Sequence, residues 1–150
     1  MGLHFTIKKF KDLSSIECYK IFKLRFDIFV VEQNCIYDEF DNYDLDSLHI
    51  QLHNEENELI AYSRILKPGL KYPEASFGRF VLKKELRGKG IADILAKESI
   101  NQIIANFGNV PIKIEAQAYL KKFYEKQGFS IISEPYDWDG ILHVDMLRKF

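Results

Sequence analysis

The chain has 150 residues, 47% of them hydrophobic, and its 21 basic and 22 acidic side chains leave a formal charge of −1. That length suits one domain with a sizeable core and excludes two comfortable ones, while the balanced charge excludes a general attraction to nucleic acid or anionic membrane, so a charged ligand must be met by a local patch. Cys18 and Cys35 make no disulfide framework or metal-ligand spacing, no apolar run approaches about 20 residues, and no charged-then-apolar leader precedes the first strand-like segment, so a soluble, cytoplasmic protein without a metal is expected.

Leu3 to Phe10 alternate, with Leu3, Phe5 and Ile7 on one side and His4, Thr6 and Lys8 on the other, which predicts a first strand. Met1-Gly2 with Thr6 fits the myristoylation pattern only loosely, on a stretch that already reads as a strand. Ser14-Ser15-Ile16-Glu17 fits a capping box and starts a helix. Cys18, Ile21, Phe22, Arg25, Ile28 and Phe29 then recur at three- and four-residue steps, burying one stripe and exposing Lys20, Lys23 and Asp27, and the helix fades near Val30 and Val31. Asn34 to Ser47 has no periodicity. It mixes Asp38, Glu39, Asp41, Asp44 and Asp46 with Tyr37, Phe40 and Tyr43 in a loop longer than a mere connector, and loops of that length are often functional. Two readings stay open for it: turn-forming, solvated aspartates, or negative potential and ring faces for a cationic acceptor.

Leu48 to Leu52 and Leu59 to Leu66 read as strands around the polar turn Asn54-Glu55-Glu56-Asn57, and Pro68-Gly69 with Pro73 marks a further turn. Ser76 to Leu82 is an apolar strand that runs through a basic turn into a helix bearing Ile91, Ile94, Leu95, Ile100, Ile103, Ile104 and Phe107 on one face and ending near Gly108. Val110 to Ala116 is another strand. Leu120, Phe123 and Tyr124 define a short helix closed by Gly128, and Phe129 to Ser133 and Ile141 to Leu147 are the final strands. Alternating strands and helices from Ser76 onward favour parallel pairing and the earlier hairpin antiparallel pairing, so a mixed α/β sheet with helices on both faces is expected.

The strand-to-helix turn has the chemistry of an anion site. A helix's first turn carries backbone N–H groups without intrahelical partners and the positive end of the helix dipole. Gly88 and Gly90 remove side chains that would block close approach, and Lys83, Lys84, Arg87 and Lys89 add charge suited to a diphosphate. A purely structural reading makes the glycines shapers of a tight turn and the lysines solvated surface. The turn matches neither Gly-x-Gly-x-x-Gly nor Gly-x-x-x-x-Gly-Lys-Ser/Thr, and without the P-loop hydroxyl for magnesium an ATP or GTP site is disfavoured.

Arg87, Gly90 and Ala92 do match Arg-x-x-Gly-x-Ala, which resembles the acyl-CoA pyrophosphate loop of the GNAT N-acetyltransferase superfamily. Phe123-Tyr124-Glu125-Lys126-Gln127-Gly128-Phe129 resembles the tyrosine helix and Gly-Phe that close such domains. The ElaA-like branch is matched through Phe29 to Gln33 with Tyr37 and Asp38, His49-Ile50, Ala61 to Lys67, Gly78-Arg79, Ala116-Gln117-Ala118 and Gly140 to His143, over nearly the whole chain. Tyr119 stands where that branch has a histidine, so no role is carried to it.

The resemblance implies a single GNAT domain, residues 1–150, with a mostly antiparallel mixed sheet splayed between the fourth and fifth strands. It implies an acetyl-CoA-dependent acyltransferase acting on a small-molecule or peptide amine, as a monomer or homodimer. Phe80, Val81 and Leu82 would lie along the pantetheine arm, held by backbone groups of Phe80 and Leu82, with Arg87, Gly88, Lys89, Gly90, Ile91 and Ala92 around the pyrophosphate. Backbone N–H groups of the fourth strand, that of Phe80 among them, would stabilise the oxyanion, and Tyr124 would donate to the departing sulfur.

Complete proton transfer from a phenol of pKa about 10 to a thiolate whose acid has pKa about 8.5 is uphill by about 2 kcal/mol, so hydrogen bonding is the expected role of Tyr124. Its alternative is packing beside Leu120 and Phe123. An acceptor amine is largely protonated at neutral pH and needs a base, for which Glu32, His49 and Glu115 are candidates. His49 alternatively is a structural strand histidine. His49 and His53 share a strand face and His143 lies far along the chain, without the carboxylate or cysteine partner of a metal site. The rival functions are a non-catalytic acyl-CoA sensor or partner-binding module, and a transferase of longer acyl groups.

Overall fold

A computed structural model describes residues 2–35 and 38–150. Met1 and Tyr37, which figure in the loose lipidation pattern and in the acidic aromatic loop, lie outside the described residues. The strands are β1 (His4–Lys9), β2 (Leu48–His53), β3 (Leu59–Leu66), β4 (Ser76–Leu82), β5 (Ile112–Gln117), β6 (Phe129–Ile131), β7 (Tyr136–Trp138) and β8 (Ile141–Arg148). The helices are α1 (Ser15–Phe26), α2 (Ile91–Phe107) and α3 (Lys121–Lys126). No helix among the described residues is long and apolar enough to cross a membrane.

Helix α1 starts at the expected box: the Ser14 hydroxyl accepts from the Glu17 N–H at 3.0 Å and the Glu17 carboxylate from the Ser14 N–H at 2.9 Å. It does not fade at its end but widens into one π-helical stretch, Asp27–Glu32, which carries Ile28, Phe29 and Glu32 on to the edge of the cleft described below. Its buried stripe includes Ile21, Leu24 and a charged residue, Arg25.

Two antiparallel half-sheets form, β1-β2-β3-β4 and β5-β8-β6, with β7 pairing the start of β8. The parallel contact expected between β4 and β5 shrinks to one bridge just before β4, Ala75 to Ile112, closed by the Lys113 N–H on the Ala75 carbonyl at 2.9 Å. Beyond that bridge the two strands diverge, and among the described residues the edge of β4 facing β5 has no strand partner. Along the β3–β4 ladder Tyr62 faces Val81 and Arg64 faces Gly78, so two steps on β3 match three on β4. The extra residue is a bulge, at Arg79, whose φ of 46° lies in the left-handed region.

Neighbouring residues of β3 point to opposite faces and so place the helices. The Tyr62 ring sits under the Arg25 guanidinium of α1, and the Ser63 hydroxyl accepts from Ser99 of α2. Helices therefore cover both faces. The larger core lies between the sheet and α2, around Ile50, Ile65, Leu95, Ile103, Ile114 and Met146, and a smaller one under α1 joins Ile21 and Leu24 to Leu59, Tyr62 and Val81.

Candidate active site

The divergence of β4 from β5 opens a cleft of about 440 Å³. One part is apolar, lined by Phe77, Phe80, Leu82, Ile114, Ala116 and Tyr124. The other is polar, with Glu32, Gln33 and Arg79 facing Glu115, Gln117 and His143.

Tyr124 comes from α3, where Gly128, at a φ of 96°, turns the chain directly into β6. Its ring packs among Phe77, Phe80, Phe123 and Phe129 at centroid distances of 5.0 to 6.3 Å. The residue is 6% exposed and lines the cleft, and among the described residues nothing hydrogen-bonds its hydroxyl. Burial, helped by the charge of Tyr119, pushes its pKa well above the usual phenol value. The hydroxyl is thus a poor acid and an available hydrogen-bond donor.

At the head of α2, Gly88 and Gly90 take φ values of 77° and 81°, and a Cβ at either would meet nothing within 4 Å. Gly90 is the N-cap, and no side chain caps the helix, so the first-turn N–H groups keep their capacity for an anion. Phe80, Val81, Leu82, Arg87, Gly88 and Ala92 line the cleft, Lys89 and Gly90 are exposed beside it, and Ile91 turns into the core. Lys83 leaves the basic cluster to meet Glu58 at 3.7 Å. Arg87 reaches Glu32 at 2.7 Å, so two residues expected in different roles form one ion pair over the cleft. Open glycines, uncapped N–H groups and an unpaired strand edge fit the phosphate and amide ends of an acyl-CoA.

His49 is not brought to this site. It is fully buried, with Nδ1 2.6 Å from the Tyr62 hydroxyl and Nε2 2.9 Å from the Asp44 carbonyl. A carbonyl only accepts, so Nε2 holds the proton and Nδ1 receives the Tyr62 hydroxyl; both nitrogens are occupied, and burial pushes the pKa down. Of the other base candidates, Glu32 is held by Arg87, and Glu115 by Lys71 at 3.3 Å and by the Tyr72 hydroxyl.

Neither open reading of the acidic loop, solvated aspartates or an acceptor-facing surface, describes Glu39, Asp41 and Asp44. Asp44 meets Arg25 at 2.7 Å, Glu39 meets Arg25 at 3.0 Å, Asp41 meets Arg64 at 2.8 Å, and Glu39 and Asp41 both pair with Arg79. Arg25 and Arg64 are buried, and a buried guanidinium requires anionic partners, so these carboxylates face inward. The same pairs hold the bulged Arg79 from behind.

Two contacts with no sequence signal cross the cleft. Gln33 and Gln117 pair through their amides at 3.3 to 3.4 Å, 84 residues apart, and the Cys35 thiol donates to the Asp139 carbonyl at 3.0 Å. Trp138, on the unexpected β7, joins the lining.

Residues 25–150 match a family model described as an acetyltransferase (GNAT) domain. Protein ElaA of Escherichia coli is 36% identical over 140 residues, covering 92% of this chain and 91% of that protein. UPF0039 protein sll0451 of Synechocystis is 35% identical over 149 residues, covering 99% and 97%. Among solved structures, an acyl-CoA N-acyltransferase from Pseudomonas aeruginosa superposes with a TM-score of 0.92 at 34% identity, covering 97% of this chain and 99% of that one. Escherichia coli ElaA gives 0.91 at 33%, covering 98% and 99%.

Proposed function

The chain belongs to the GNAT acetyltransferase family, and from that premise we propose that it moves an acetyl group from acetyl-CoA to a primary amine by direct attack on the thioester. The observation that carries this reading is that Tyr124, whose hydroxyl has no hydrogen-bond partner among the described residues, lines an apolar cleft together with the unpaired edge of β4 and the turn at the uncapped head of α2.

On this reading, Arg87 and the N–H groups around Gly88 and Gly90 hold the pyrophosphate, and Lys89 adds charge at its exposed side. Backbone groups of β4 from Phe80 to Leu82 hold the pantetheine arm as an added strand would be held. The nitrogen lone pair attacks the acetyl carbon, β4 N–H groups meet the oxyanion, and the C–S bond breaks. Tyr124 donates a hydrogen bond to the leaving sulfur and keeps its proton, consistent with its raised pKa.

Melting temperatures with acetyl-CoA, CoA, longer acyl-CoAs and Mg-ATP test the donor. A ligand at 100 times its Kd adds about 2.7 kcal/mol, several degrees for a domain of this size. The expected result is a rise with acetyl-CoA and CoA but not Mg-ATP, followed by amine-dependent CoA release across a panel of primary amines. No rise with saturating acetyl-CoA removes the donor and every role built on it.

A further inference from the structure

We propose that His143 is the general base of this site, the group that takes the proton an ammonium acceptor must lose before its nitrogen can attack. The assignment rests on the transferase reading above and adds to it a residue that ends the matched stretch Gly140 to His143 and to which the resemblance attached no catalytic role.

Of the four histidines in the chain, His143 alone lines the cleft. His4 and His53 stack on each other across β1 and β2 at 5.1 Å, and His49 is buried with both nitrogens occupied. His143 is 8% exposed, and its Nδ1 lies 2.7 Å from the Ile141 carbonyl. A carbonyl only accepts, so Nδ1 carries a proton, and whenever the ring is neutral Nε2 presents the lone pair. Nothing among the described residues hydrogen-bonds that nitrogen, and it is not among the buried polar atoms left without partners, so it keeps contact with the open cleft.

The ring is also held in place. Tyr136 stacks on it at 6.1 Å and 22°, and Trp138 flanks it at 5.3 Å. Both come from β7, whose register sets Tyr136 opposite His143 and Trp138 opposite Ile141. Tyr136 is itself fixed by donating to Asp145 at 2.6 Å. On β5, Gln117 stands opposite His143.

The other charged or titratable groups at the cleft are less suited to the task. Glu115 is held by Lys71 and Tyr72, Glu32 by Arg87, and Arg79 by Glu39 and Asp41. Asp145, one step along the face, is held by Tyr136 and Lys113. The Cys35 thiol is turned to the Asp139 carbonyl. Asp139 and Tyr119 line the cleft but are exposed to solvent, with no ring among the described residues stacked on them to fix their position as His143 has. Imidazole is the side chain whose ordinary titration spans pH 5 to 8. In the step proposed, Nε2 takes one proton from the ammonium, directly or through one water. The freed lone pair forms the C–N bond, the C–S bond breaks with its electrons on sulfur, the nitrogen passes its second surplus proton through water to the departing thiolate, and the imidazolium returns its own proton to solvent.

The test uses the full chain and the best-turned-over primary amine of the panel. His143→Gln and His143→Ala are expected to lower kcat/KM for that amine about 100-fold or more, the usual reach of a general base. They should also abolish the acid limb of its pH profile and lose much less rate with hydroxylamine, which is largely neutral at pH 7. The melting-temperature rise with acetyl-CoA should persist in both variants. An unchanged acid limb, or equal losses with both amines, overturns the assignment and leaves the transferase reading standing. No amine-dependent CoA release by the unaltered protein overturns both. Independently of any variant, imidazole nitrogen NMR at a pH where the ring is neutral should show His143 as the Nδ1–H tautomer, and an Nε2–H tautomer overturns the assignment.

Discussion

The Tyr124 oxygen can be removed without disturbing what surrounds it, because its ring does the packing and its hydroxyl makes no bond within the described protein. A hydrogen bond to a charged atom contributes about 1.5–3 kcal/mol, so Tyr124→Phe is expected to lower kcat roughly 10- to 100-fold. The melting temperature and its rise with acetyl-CoA should stay nearly unchanged. A variant that melts several degrees lower would instead make the hydroxyl structural. Tyr124 could be found in the sequence because its neighbours Phe123, Gly128 and Phe129 repeat a local pattern. His143 stood in a matched stretch, but its role could not be read there: what distinguishes it is one backbone carbonyl two residues away and two rings on a strand that no periodicity announced.

Among the elements, α1 shows how far local rules reach. Its capping box is readable from four residues, and Ser14→Ala should cost about 1 kcal/mol in a denaturant or thermal melt. Glu17 adds a pH dependence. Burial alone would raise its pKa, but the Ser14 N–H, Gln51 and Lys8 outweigh it and hold the carboxyl at about 2 against an ordinary 4.5. A lowered folded pKa gives stability that is full above about 4.5 and lost as pH falls toward about 2. The stability gap between the unaltered protein and Glu17→Gln, measured by urea melts, should therefore be wide at pH 7 and narrow steadily below pH 4.5. Strands β2 and β3 and helix α2 were equally readable, since β2 alternates, β3 is an apolar-rich run buried along its whole length and α2 carries a 3.6-residue stripe. The three residues of β7 are too few to show a period, and the π-helical end of α1 keeps the apolar spacing of an ordinary helix while shifting where Glu32 lands.

At the scale of the molecule, the loop of residues 38–46 ties α1, β3 and β4 into one block through Arg25, Arg64 and Arg79. Asp44 accepts from both Arg25 and Arg64, and its pKa is lowered because their charges and hydrogen bonds outweigh its burial. Asp44→Asn leaves two buried guanidinium groups short of charge and should destabilise the fold by about 3–5 kcal/mol, readable as a large fall in urea midpoint. None of these pairings could be read along the chain, since the partners stand 14 to 40 residues apart. The ion pair of Glu32 with Arg87 has a different kind of consequence. On the proposed reading the pyrophosphate site carries its own counter-ion, so seating the ligand would be an exchange of one anion for another and not a simple capture. Titrations of CoA at rising salt should accordingly show a shallower loss of affinity than the number of basic residues around the turn suggests, and Glu32→Gln, by vacating the resident ion, should tighten CoA and steepen that dependence.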